Sequence, residues 1–417
     1  MWDAHGNEYL DGAAGGVWTV NVGYGRVEVA DAVRDQLLEL NFFQPNASNV
    51  PAAVFAEKLL TKMPGMSRVF YSSSGSEANE KAFKMVRLIA QHKYGGRKNK
   101  ILFRERDYHG TTFGALSATG QPQRRQHFGP FLPGFIPVPH NCEYRSQWGE
   151  VSDYGVRAAN EIEKVILREG PETVGAICLE CITAGGGAIL PPAGYWPRVQ
   201  EICKKYQILL HMDEVVMGMG RTGKWFGYQQ FDIKPDIVTM AKGLASGYAA
   251  VSVTVTTENV FNMCHETNDL DAESKMVYFR DISTYAACTA GPTAALACME
   301  IAERENLVEN AATVGAYLQD KLRMLKDKHQ IVGDVRGMGL FGGLELVKCR
   351  KTKEPVDESV IIAVQNECRD MGGVLIGRTN RSFAEFNNTL LIAPALIAST
   401  GDIDVIISAL DGALSRI

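Results

Sequence analysis

Short apolar runs alternate with longer stretches of helical periodicity through the first three quarters of the chain. Met66–Tyr71, Lys100–Phe103, Val174–Leu179, Ile208–Met212, Ile237–Met240 and Val251–Thr256 are four to six residues long and predominantly apolar. Runs of this length, bounded by Gly, Ser, Asp or Pro, predict buried strands. Between them, Val27–Leu40, Pro51–Met63, Glu77–Tyr94, Val156–Arg168 and Gly194–Tyr206 carry apolar residues at helical spacing. Strand and helix in alternation predict an α/β fold, doubly wound around a mainly parallel sheet.

The pattern changes towards the C-terminus. Asn262–Ser274 is polar and reads as a loop, Cys288–Glu303 as a small-residue helix and Leu307–Lys328 as a long amphipathic one. Ile331–Val347 alternates with glycines and predicts a two-stranded meander. A helix over Asp357–Met371, strands at Val374–Ile376 and Leu390–Ile392, and a terminal helix over Ile403–Ile417 follow. These make a small α+β domain of residues 331–417 beside a large domain of residues 41–330. Residues 1–40 join the small domain: Asp3–Asn7 reads as a hairpin turn, Glu8–Leu10 as its returning strand, and Val27–Leu40 as a helix. A chain that opens inside a hairpin leads us to expect a further segment upstream. Gln121–Trp148, rich in Pro, Gly and aromatics, predicts an ordered loop over one face.

Composition narrows the classes of function. With 417 residues, a net charge of −5 and no dense Lys/Arg cluster, the chain lacks a nucleic-acid footprint. No apolar run reaches the ~20 residues that span a bilayer. The nine cysteines are scattered along the chain, the pattern of free thiols in a reducing compartment. The N-terminus has no basic segment followed by an apolar one, so a cytoplasmic protein is expected.

Candidate chemistry concentrates between Gln207 and Gly243. The run Ile208–Met212 ends at Asp213-Glu214, and Ile237–Met240 leads to Lys242-Gly243. Ligands of open α/β sheets bind at the carboxyl ends of strands. An acid and an amine facing one pocket there suit a pyridine cofactor, whose ring nitrogen a carboxylate keeps protonated and whose aldehyde an amine can hold. The alternative for both is an ordinary solvated or ion-paired residue.

A second feature is Ser72–Ser76, four serines and Gly75 between a strand and a helix. Unpaired amides at a helix N-terminus attract an anion, so this segment reads as a phosphate cup, against simple capping by Ser74 or Ser76. It is not a P-loop, because GxxxxGK[ST] is absent. Tyr108 is a candidate stacking platform or a packed junction aromatic. His109 reads as a hydrogen-bonded structural histidine, and a Thr-capped helix follows it. Glu180 closes the strand Val174–Leu179.

Taken together, SSSGSEAN, DYHG, the strand-end Glu180, MDEVVMGMGRTG, TMAKG and DISTY resemble the class III aminotransferases, enzymes of fold type I that depend on pyridoxal 5′-phosphate. The resemblance covers nearly the whole chain. Longer phrases, among them GGVWTVNVGYGR, YFRDISTY, CITAGGG, PDIVTMAKG and GRTNRSFAEFNNTLLIAPALIA, look like the taurine–pyruvate branch of that family. The resemblance implies that Lys242 holds the cofactor and moves the proton. Asp213 would meet the pyridine nitrogen, and Gly75 and Ser76 the phosphate. Tyr108 and Val215 would flank the ring, with Glu180 in the polar network beside it. Thr284 would reach the phosphate of a neighbouring subunit, which makes the unit a homodimer, or a tetramer built from dimers.

The chain departs from the family where a Pro is common after the strand-end Glu, having Cys181, and where an Arg often precedes a PPL-like segment. Arg378 then becomes the candidate for the substrate anion, with Arg381 in reserve; the alternative for each is a solvated loop arginine. Trp18 is a candidate pocket wall or a core anchor. The implied reaction transfers the amino group of an ω-amine donor, taurine, to pyruvate, giving sulfoacetaldehyde and alanine. Alternatives are β-alanine, another ω-amino acid or an amine as donor, an aminomutase or decarboxylase of the same fold, and a non-catalytic scaffold.

Overall fold

The backbone pairs its strands into two main sheets, described by a computed structural model for residues 1–44, 47–265, 279–379 and 388–417. A short strand β1 (Leu10–Asp11) precedes the large sheet. That sheet comprises β2 (Arg68–Ser72), β3 (Lys100–Arg104), β4 (Phe135–Val138), β5 (Val174–Glu180), β6 (Leu209–Asp213), β7 (Ile237–Met240) and β8 (Ser252–Thr256). Its order is β2-β8-β7-β6-β5-β3-β4, parallel throughout except that β8 runs antiparallel to both neighbours.

Both faces of this sheet are covered, which is why its strands are apolar rather than alternating. Ile101, Phe103, Ala176, Cys178 and Ile237 pack with Ala82, Phe83, Val86 and Ile89 of the helix Gly75–Tyr94. Their neighbours Leu102, Ile177, Leu210, Met212 and Val238 join the core that contains the helices Tyr154–Glu169 and Tyr195–Tyr206. Period-two alternation thus divides each strand between two apolar layers.

The remaining strands are β9 (Val332–Gly337), β10 (Gly342–Cys349), β11 (Glu354–Pro355), β12 (Val374–Leu375), β13 (Gly377–Arg378) and β14 (Thr389–Ile392). All but β12 form a five-stranded antiparallel sheet, with the meander β9–β10 as expected. β12 instead pairs parallel with β1, so the N-terminal segment lies on this C-terminal part. The opening turn is an Asx turn: Asp3 Oδ1 accepts from the amides of His5 (2.8 Å) and Asn7 (2.9 Å).

Three local expectations need correction. Phe135–Val138 is an edge strand paired with β3, within a stretch read as loop. The loop expected over Asn262–Ser274 begins as the end of a helix, Glu258–Met263, and residues 266–278 lie outside the described ones. Thr112 precedes the helix Phe113–Ser117, but its hydroxyl donates to Glu80 Oε1 (2.6 Å) instead of capping. Among the described residues no helix is long and apolar enough to cross a membrane.

Candidate active site

Parallel pairing in register sets the site. Glu180 lies opposite Asp213, and Asp213 opposite Thr239, at the carboxyl ends of β5, β6 and β7. Two residues beyond β7, Lys242 opens a short turn with φ +41°, a left-handed backbone that a non-glycine residue adopts only where its surroundings hold it.

Asp213 is buried and thoroughly held. His109 Nδ1 lies 2.8 Å and Asn79 Nδ2 2.9 Å from its Oδ2, and Val215 N donates to Oδ1 at 3.0 Å. The chain continues outward: Thr239 Oγ1 donates to Asn79 Oδ1 (2.7 Å) and lies 3.0 Å from His211 Nε2. Burial pushes the Asp213 pKa up, but His109, Asn79 and the Val215 amide outweigh it, and the carboxyl ends below its ordinary value. Glu180 goes the other way. Burial, then Asp107 and Asp213, push it well up, although Tyr108 N (2.9 Å) and Ala184 N (3.0 Å) donate to it. The proton affinities of two neighbouring carboxyls are thereby driven apart, Asp213's down and Glu180's up.

Lys242 keeps part of its surface open while its surroundings desolvate the amine. Burial lowers its pKa, Asp213 and Glu180 oppose this, and Arg124 adds to it, for a net lowering. A lowered amine carries the lone pair that a nucleophile needs. Glu214, the other half of the Asp-Glu pair, serves the scaffold: its carboxylate accepts from Gly227 N and Tyr228 N, both at 2.7 Å.

The helix Gly75–Tyr94 begins at Gly75, capped by Ser74, whose Oγ accepts from Glu77 N at 3.3 Å. Capping by Ser74 leaves the first-turn amides of Gly75 and Ser76 without helical partners. A Cβ on Gly75 would sit 3.1 Å from Val215 Cγ2, so the structure brings Gly75 and Val215 together. Ser76 Oγ accepts from Thr111 N at 3.0 Å, and Gly110 makes that approach possible: a Cβ there would lie 2.4 Å from Ser76 Oγ. A glycine cradle, a helix N-terminus, an aromatic at Tyr108, an acid and a desolvated amine are the groups a phosphorylated pyridine needs, and they fit it.

The other expected residues are placed as follows. Trp18 packs edge-on against Phe341, centroids 5.5 Å apart, and a Cβ on Gly185 would touch its ring at 3.7 Å. Arg378, on β13, is ion-paired with Glu358. Arg381 lies outside the described residues. Thr284 is exposed in a turn that Ser283 ties to Glu77 (Oγ to Oε2, 3.2 Å), next to Ile282 and Tyr285, both exposed.

A family model described as aminotransferase class-III matches residues 1–414. The chain belongs to the class III aminotransferases. As a member of that family it is an enzyme of the aminotransferase type. It is 59% identical over 417 residues to a protein of Paracoccus denitrificans named hypotaurine/taurine–pyruvate aminotransferase, covering 100% of this chain and 90% of that one. To a taurine–pyruvate aminotransferase of Rhodobacter capsulatus it is 57% identical over the same shares. Among solved structures, a Bacillus anthracis aminotransferase superposes with a TM-score of 0.94 at 40% identity, covering 100% of this chain and 91% of that chain. An amine transaminase from an uncultivated Pseudomonas species, solved in a PLP-bound form, gives 0.91 at 31%, covering 100% and 92%.

Sequence reasoning did not reach Asn79, His211 and Thr239 in the Asp213 chain. Their polar side chains sit within apolar helix and strand patterns, and a polar residue on a buried face was the one available signal. It also passed over Arg124, whose guanidinium carbon lies 4.2 Å from the Tyr108 ring centroid.

Proposed function

We propose that this aminotransferase moves the amino group of taurine to pyruvate, giving sulfoacetaldehyde and alanine, with pyridoxal 5′-phosphate as its cofactor. The observation that carries the chemistry is the pairing of a charged Asp213 with a desolvated Lys242 at adjacent strand ends. The choice of substrates is supported by full-length relatives of 56–59% identity that bear taurine–pyruvate names. When bound, the cofactor supplies an electron-withdrawing ring that stabilises negative charge on the donor's reacting carbon.

In this reading each residue has one task. Lys242 Nζ would hold the cofactor through its aldehyde and would move a proton at the donor's reacting carbon. The Asp213 carboxylate keeps a proton on the ring nitrogen. The Gly75 and Ser76 amides hold the phosphate, while Tyr108 and Val215 fix the ring plane. Glu180, whose proton affinity burial and the neighbouring carboxylates raise, would belong to the polar network beside the cofactor. Trp18 walls the pocket and excludes water. Arg378 takes a substrate carboxylate or sulfonate once it releases Glu358. Thr284 reaches the site of a second copy, so the working unit is a homodimer. Residues 41–330 form the cofactor-binding domain, and residues 331–417 with 1–40 the small one; the β1–β12 pairing supports this division. Nine free thiols fit a cytoplasmic setting.

Protein reconstituted with the cofactor is expected to show the visible band of a lysine-bound cofactor, lost in Lys242→Ala. A donor panel with pyruvate, following alanine, should rank taurine first. Brisk β-alanine turnover with none on taurine would transfer the proposal to an ω-amino acid; no band in the reconstituted wild type would end it.

A further inference from the structure

Behind Asp213 runs a chain of buried polar side chains. Asn79 lies on the helix Gly75–Tyr94, His211 on β6 and Thr239 on β7, and the His211 ring meets the apolar Phe83 edge-on, centroids 5.8 Å apart. The direction of the hydrogen bonds is fixed from one end. Asn79 Nδ2 donates to two acceptors, His109 O at 2.7 Å and Asp213 Oδ2 at 2.9 Å, so both its hydrogens are used and its Oδ1 must accept. Thr239 Oγ1, 2.7 Å from that Oδ1, gives it the one hydrogen of the hydroxyl. Towards His211 Nε2, 3.0 Å away, the hydroxyl can then only accept, which places the imidazole hydrogen on Nε2. Burial lowers the His211 pKa to about 3, so the ring is neutral and its Nδ1 carries no hydrogen. His211, Thr239 and Asn79 therefore all donate in one direction, and the last donation falls on the Asp213 carboxylate.

Mutual satisfaction of buried groups does not explain this chain. His211 Nδ1 ends it without a hydrogen-bond partner among the described residues, whereas apolar residues at the three positions would bury no polar side-chain atom. What the chain adds is orientation. An asparagine amide can turn over and present its oxygen to a carboxylate; with the Thr239 hydroxyl committed to Oδ1, this one is held with its nitrogen on Asp213.

We propose that Thr239 is a positioning residue, which holds the Asn79 amide as a donor to Asp213 and thereby keeps the proton shared by Asp213 and the cofactor on the ring nitrogen. This rests on the reading of the site as one for pyridoxal 5′-phosphate. A donor lowers a carboxylate's affinity for a proton, so a weakened donor lets the shared proton move from the ring nitrogen towards the carboxylate.

The test follows that proton and needs no turnover. The protein is loaded with cofactor isotopically labelled at the ring nitrogen, and the chemical shift of that nitrogen gives its ratio of protonated to unprotonated forms. Thr239→Val keeps the shape and removes the hydroxyl, and should lower the ratio about 3- to 10-fold, the span of one net hydrogen bond. Asn79→Leu removes the donor itself and should lower it about 10- to 100-fold, the span of a bond to a charged group. Thr239→Ser restores the hydroxyl and should stay within about 2-fold of wild type. Thr239→Ala serves in place of Thr239→Val if the latter does not fold. A ratio in Thr239→Val equal to that of wild type overturns the proposal. So does an equal fall in Thr239→Val and Thr239→Ser, which marks disturbed packing and not a lost hydroxyl. Failure of the cofactor reading shows separately, in the wild type: a protein that takes up no labelled cofactor ends that reading and this proposal with it, whereas bound cofactor with an unmoved ratio in Thr239→Val ends the proposal alone.

Discussion

At the scale of single residues the site drives the proton affinities of neighbouring groups apart. Asp213 and Glu180 face each other across β5 and β6, yet hydrogen-bond donors hold the pKa of the first below its ordinary value, while burial and the charge of its neighbours push that of the second well up. Lys242 sits in the same field with its proton affinity lowered, first by desolvation. A base with a lowered folded-state pKa binds its proton less tightly in the fold than in the unfolded chain. Stability of the cofactor-free protein therefore rises with pH between the lowered value and the ordinary lysine range near ~10.4. Below that window the buried amine is a cost. Lys242→Met keeps the length and removes the charge, so the cofactor-free variant should melt higher than wild type at neutral pH, by roughly 1–3 °C. The gap should close as pH approaches the lysine range. Melting curves in which wild type is the more stable at neutral pH would contradict the assignment.

At the scale of elements, strand ends were legible and strand directions were not. Apolar runs ending in Glu180, Asp213 and near Lys242 could be placed at one edge of a parallel sheet by the strand-end rule. Nothing in Val251–Thr256 distinguishes an antiparallel strand, and β8 is antiparallel. Phe135–Val138 was hidden because four residues ending in Pro-Val, within a Pro/Gly-rich stretch, carry too little pattern, and an edge strand needs only one partner. The DYHG glycine shows how an element junction shapes the site. Gly110 has φ +142°, and a side chain there would press on Ser76 Oγ and on Ala115 Cβ at 2.7 Å. Gly110→Ala should push the start of the helix Gly75–Tyr94 away from its present position and raise the cofactor's dissociation constant about 10-fold, a cost near 1.4 kcal/mol. Ser76→Ala, which keeps the amide, should be milder. Equal cofactor affinity in Gly110→Ala and wild type, measured by equilibrium dialysis, would rule this out.

At the scale of the molecule, the parts are joined by buried charge that no local pattern announces, because its members are far apart in sequence. Glu345, on β10 of the small sheet, is fully buried between Arg145, whose Nε donates to it at 2.7 Å, and Arg336, whose Nη2 lies 2.7 Å away. Arg336 also donates through Nε to Gly187 O (2.8 Å), in the loop that follows Glu180. The clamp thus connects the small sheet to the loop whose Ala184 amide holds Glu180. Burial pushes the Glu345 pKa up, but Arg336, Arg145 and Arg106 outweigh it and bring it below the ordinary range. A carboxyl with a lowered folded-state pKa stabilises the fold above its unfolded value, near ~4.3, and that contribution is lost as pH falls through the folded value. Glu345→Gln takes away the carboxylate that the buried Arg145 and Arg336 share, although Arg336 keeps Asp334 at 2.7 Å, so the cost should fall at or below about 3 kcal/mol. Thermal unfolding should therefore show Glu345→Gln well below wild type at neutral pH, with the two curves converging under acid. Because Glu345 supports the loop without touching the site, donor saturation should change less than stability does. A variant that unfolds like wild type from neutral to acid pH would show that the clamp is not what ties the small sheet to the active-site loop.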